Sequence, residues 1–85
     1  GLGDVYKRQT LKMYENLKNG ISYDDAVKTL GIPDVYSIAV SSDATMTQAL
    51  WSSNLVAKKG ETGSLTLTFK NGALENKSQA NLINK

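Results

Sequence analysis

The chain of 85 residues contains no cysteine and no histidine. Without thiols it has no disulfide, no thiolate nucleophile and no cysteine-based zinc site. Without imidazole it lacks the commonest general base and the commonest metal ligand. It has a single proline, Pro33, and a single arginine, Arg8. No apolar run approaches the roughly 18 residues that a membrane helix needs. What remains is ordinary for a globular domain: 40% hydrophobic and 21% charged residues, too apolar for a disordered chain. This length makes one domain at most, and such a domain buries only about 60–65% of its unfolded surface. That leaves no room for a deep enzyme cleft and the scaffold around it.

Residues 1–9, Gly-Leu-Gly-Asp-Val-Tyr-Lys-Arg-Gln, resemble an in-frame translation of a transposase sequencing adapter at all nine codons. The resemblance implies a scar that stands outside the fold, a gene assembled from shotgun or metagenomic reads, and an upstream leader or lipid-attachment cysteine that has been lost. The domain is then expected at 10–85. Setting the scar aside removes Asp4, Lys7 and Arg8 and leaves eight lysines against seven acids, a net charge of +1. A nucleic-acid binder neutralises several phosphates with clustered Lys and Arg. Here only Lys58 and Lys59 adjoin, so no nucleic-acid partner is expected.

The first half of the chain reads as two short helices. Thr10 can cap one that runs to about Lys18, with Leu11, Tyr14 and Leu17 on its apolar face. Asn19-Gly20 ends it. Ser22 suits the next N-cap, its hydroxyl accepting from the backbone N–H of Asp25. Asp24 and Asp25 then lie in the first turn, where the helix dipole favours negative charge. Ala26, Val27 and Leu30 form the buried side, Gly31 is the stop, and Pro33 prevents resumption.

From Asp34 the period changes to two. Val35 to Ser42 reads as one strand and Thr45 to Ser53 as a second, with Ser42-Asp43-Ala44 as the turn. Residues 54–63 read as loop, and Leu55 and Val56 either prolong the second strand or fold back onto the core. Ser64 to Phe69 alternates cleanly, and Asn71-Gly72 is the preferred two-residue type I′ turn. Regular pairing from that turn sets Phe69 opposite Leu74, Thr68 opposite Glu75, Leu67 opposite Asn76 and Thr66 opposite Lys77. The expected fold is α+β: an N-terminal helical hairpin packed on one face of a four-stranded antiparallel sheet, in the order α-α-β-β-β-β.

Two segments carry a family resemblance. Leu17 to Gly31, LKNGISYDDAVKTLG, is similar to the helical hairpin I-K-x-G-M-S-Y-E-E-V-x-x-x-L-G of small bacterial lipoprotein domains of unknown function. Leu65 to Gln79, LTLTFKNGALENKSQ, resembles their x-V-T-F-x-N-G-K-V-V-S-K-S-Q hairpin. Those domains resemble the repeat unit of β-lactamase inhibitory protein, and outer-membrane assembly lipoproteins share the layout. Trp51 falls near the family's second-strand Trp. The resemblance covers Thr10 to Leu82. It implies a domain that acts by contact, at an extracellular or cell-envelope address, with membrane attachment only through a lost lipid anchor. It implies no reaction.

Candidate chemistry yields to structural roles. Asp24 and Asp25 point roughly 100° apart on a helix and cannot converge on one ion. Ser22 is occupied as a cap and lies on a different face from Lys28. Gly60-Glu61-Thr62-Gly63 lacks the Gly-Lys-Ser/Thr ending of a phosphate loop. Asn76-Lys77-Ser78 matches a glycosylation sequon but falls in a strand of a bacterial-looking chain. No catalytic residue, metal ligand or cofactor site is therefore assigned.

Trp51 and Tyr36 remain in contest between core and contact surface. Leu50 and Trp51 lie on opposite faces, so one must point outward or be covered. The expected contact surface is Trp51, Tyr36, Gln48, Thr66 and Thr68. The function expected is a non-enzymatic protein-interaction domain of a secreted or lipid-anchored bacterial protein, with self-association as a homodimer among its options. The alternatives are an inhibitor of β-lactamase or another enzyme, and a small-ligand binder or enzyme built on carboxylates and hydroxyls.

Overall fold

The computed structural model describes residues 8–84. Two helices, α1 (Leu11–Asn16) and α2 (Tyr23–Leu30), precede four strands, β1 (Val35–Val40), β2 (Thr45–Trp51), β3 (Ser64–Lys70) and β4 (Ala73–Ala80). The strands form one antiparallel sheet in the order β1-β2-β3-β4. The α+β architecture is the one expected from the sequence.

The local signals act as read. Thr10 caps α1 by accepting from Met13 N–H at 3.2 Å, and Ser22 caps α2 by accepting from Asp25 N–H at 3.1 Å. Gly31 ends α2 at φ 93°, a left-handed value that only glycine adopts without strain. Asn71 and Gly72 carry φ 52° and 85°, the signature of the type I′ turn. The first helix is shorter than expected and ends at Asn16. A helix of six residues is not stable alone. It is tied down from outside, by Leu11 N–H donating to Ile83 C=O at 3.1 Å and Lys12 N–H donating to Asn84 Oδ1.

The helices lie over the β3–β4 hairpin and the end of β2. Leu17, Ala26 and Leu30 meet Ala49, Trp51, Leu65, Leu67, Phe69 and Leu74, all buried. Each large side chain among them stabilises the fold by about 1.5–3 kcal/mol. Leu55 and Val56 fold back and are buried beside this core.

One expectation is corrected. The hairpin register slips between Thr68 and Phe69. Phe69 still faces Leu74, but Thr68 faces Asn76, Leu67 faces Lys77 and Thr66 faces Ser78. An extra residue in β4 makes a β-bulge, and beyond a bulge every side chain changes face. The leading segment was expected to stand outside a domain at 10–85. Residues 1–7 of the expected scar lie outside the described residues. Gln9, however, is built into the domain, only 3% exposed. Its side-chain Nε2 donates to Leu30 C=O at 2.6 Å, and its backbone pairs with Asn54 and Val56. It closes the end of α2 against the 54–56 loop.

Candidate functional site

The helices leave one whole sheet face uncovered. Pairing defines its residues: Val35, Ser37 and Ala39 from β1 lie opposite Leu50, Gln48 and Met46 of β2, and those lie opposite Thr66, Thr68 and Lys70 of β3. Asn76 and Ser78 of β4 continue the rows through their pairing with Thr68 and Thr66. The surface is nearly charge-free, with Lys70 at one end. Val35, Ser37, Gln48, Leu50 and Thr66 line a shallow depression in it. Gln48 is exposed, while Leu50, Thr66 and Thr68 are half-buried by their neighbours.

The structure divides the five residues of the expected contact surface. It brings Gln48, Thr66 and Thr68 together on the open face. Trp51 belongs to the other face, 1% exposed, with its Nε1 donating to Gly31 C=O at 3.0 Å. The physical reason is parity. Trp51 pairs with buried Leu65 and lies three positions, an odd number, from Gln48, so the two must point to opposite sides. Leu50 is therefore the residue that turns outward. Tyr36 pairs with buried Ala49 and so lies on the helix side as well. It is 60% exposed because the helices stop short of β1.

The rest of β1 behaves like Tyr36. Val35, Ile38 and Val40 are 57–77% exposed, and so is Ile32 just before the strand, at 66%. Tyr23, the first residue of α2, packs edge-on against Phe69 with ring centroids 5.2 Å apart. Burial pushes the Tyr23 phenol above its ordinary pKa, with Tyr36 and the Asp24 carboxylate adding to the rise.

Two polar arrangements escaped the sequence reading. Asp34 accepts from Ser52 N–H at 2.6 Å, from Ser53 N–H at 3.0 Å and from the Ser53 hydroxyl. The Ser53 hydroxyl, then the backbone donors, hold its carboxyl below the usual carboxylate range. A Pro-Asp step before a strand and a Ser-Ser pair after its neighbour were the signal available. Lys77, turned inward by the bulge, donates from Nζ to Tyr14 C=O and Leu17 C=O, both at 2.9 Å, and sits 4.6 Å from the Tyr14 ring centroid. Regular hairpin pairing had placed it on the opposite face. Both arrangements are anchors of the fold.

Among the described residues no group of three or more acids, His or Cys could hold a metal ion. No described helix is long and apolar enough to cross a membrane.

Comparison with known proteins agrees with the layout. Residues 6–82 match a family described as a domain of unknown function with a solved structure, DUF3862. The fold is similar to a crystal structure of a "putative beta-lactamase inhibitor protein" from Streptococcus mutans, with a TM-score of 0.79 and 40% identity over 87% of this chain. The match spans 45% of that longer protein. No curated protein matches the chain.

Proposed function

The chain belongs to the DUF3862 family, and on that premise we propose that it is a non-enzymatic protein-binding domain that seats its partner on the open sheet face. The supporting observation is the face itself. Half-buried Leu50, beside Val35, gives a neutral surface an apolar end row, and Gln48 and Thr68 in the middle row bring amide and hydroxyl groups that can both donate and accept. The S. mutans protein, described as a "putative beta-lactamase inhibitor protein", supports an enzyme surface as the class of partner. The address proposed is extracellular or the cell envelope.

Calorimetry against a set of purified β-lactamases, with hydrolysis of a chromogenic cephalosporin alongside, tests the reading. The expected result is saturable heat and slowed hydrolysis, with Gln48→Glu and Thr68→Glu each weakening binding about tenfold or more, since an added charge must be desolvated at the contact. No heat and unchanged hydrolysis across the set would remove the inhibitor reading. Undiminished binding by both variants would remove the open face as the contact.

A further inference from the structure

The two edges of the sheet are unlike. β4 carries Glu75 and Lys77, is bent by the bulge at Thr68/Phe69, and is followed by a bridge from Ala57 to Leu82. Charges and bulges blunt an edge against pairing with other chains. β1 has none of these devices. Val-Tyr-Ser-Ile-Ala-Val is uncharged, and the pairing register with β2 is unbroken along all six residues. The ladder phase is set where Ser41 N–H donates to Ala44 C=O at 2.9 Å. Alternation from that point turns Ala39, Ser37 and Val35 toward β2 and leaves the N–H and C=O groups of Tyr36, Ile38 and Val40 facing out of the edge. The same three residues carry three of the strand's four large exposed apolar side chains, Val35 being the fourth.

We propose that β1 pairs antiparallel with β1 of a second copy of this chain, about a two-fold axis at Ile38. In that register Ile38 meets Ile38 of the other copy and Tyr36 meets Val40, in both directions. All three outward-facing residues then find backbone partners. Aromatic against β-branched side chains is a favourable cross-strand pair. No charge on either strand opposes the approach. Three exposed apolar side chains per copy become one covered row on the helix side. An identical strand is the occupant that these features fit, because the sequence is complementary to itself in this register. The arrangement also closes. A two-fold contact uses the same edge of both copies, and the blunted β4 edges that remain do not propagate it. The result is an eight-stranded sheet whose two open faces adjoin. The inference stands on the edge geometry and is independent of what the open face binds.

Sedimentation equilibrium from about 1 µM to about 300 µM tests it. The expected outcome is a shift from the 9.2 kDa chain to twice that mass. Ile38→Lys sets two like charges opposite each other and is expected to hold the chain at 9.2 kDa throughout, with an unchanged circular dichroism spectrum. The register has its own test, made clean by the absence of cysteine. Ile38→Cys brings two Cα atoms to about 5.5 Å, within disulfide range, and is expected to cross-link about tenfold faster than Val40→Cys, whose partner position is four residues away. Monomer at every concentration overturns the proposal, including the case in which the edge takes an extended peptide of another protein. Equal cross-linking at both positions overturns it too.

Discussion

The indole of Trp51 donates to the carbonyl of Gly31, the residue that ends α2. One hydrogen bond thus joins the last residue of β2 to the stop of the helix above it, and both ends are buried.

Replacing Trp51 by Phe keeps most of the ring contact but leaves the Gly31 carbonyl without that donor. A loss of about 1–3 kcal/mol is expected. Trp51→Ala is expected to cost about 3–5 kcal/mol. Urea denaturation measures both. As the sole tryptophan, its fluorescence is expected to be blue-shifted in the native chain and to move red on unfolding.

Lys77→Met keeps an aliphatic stem and removes the ammonium. The Tyr14 and Leu17 carbonyls lose that donor and the Tyr14 ring its cation. A destabilisation of about 1–2 kcal/mol is expected. Lys58→Met, at an exposed position, is expected within about 0.5 kcal/mol of the parent. Equal midpoints for the two variants would show that the bulge does not seat Lys77 as described.

Asp34 governs part of the acid limb. Its carboxyl is lowered in the folded chain by the Ser53 hydroxyl and the Ser52 and Ser53 backbone donors. Between the folded and unfolded values the unfolded chain binds more protons, so stability rises with pH there. The contribution is complete above the unfolded value, about 3.9, and is lost as pH falls through the folded one. Asp34→Asn is expected to flatten this part of the profile, and urea midpoints taken from neutral pH downward would show it.

Gly63 has no room for a methyl group. A Cβ there would meet the Ala57 Cβ at 2.9 Å and Leu55 Cδ1 at 3.2 Å. Gly63→Ala is expected to cost about 1–3 kcal/mol through overpacking. Thermal unfolding checks it, with the exposed Lys59→Ala as the neutral reference.

The sequence by itself determined the punctuation of this fold. Ser22, Gly31 and Asn71-Gly72 act through hydrogen bonds and φ preferences that span a few residues, so their roles were legible without neighbours. The period-two strands and the α+β layering followed from the same short-range logic. For the sheet face, the shared side of Gln48, Thr66 and Thr68 was legible, and the odd spacing between Gln48 and Trp51 already required those two to face opposite ways. Only the tertiary structure decided the rest. The bulge turns Lys77 toward the Tyr14 and Leu17 carbonyls, which a distant segment supplies. Trp51 is inward because the end of α2 and Leu65 enclose it. Tyr36 is on the helix side yet exposed because the helices stop before β1. Each is a contest between distant segments for the same space, and a local pattern carries no record of which segment wins.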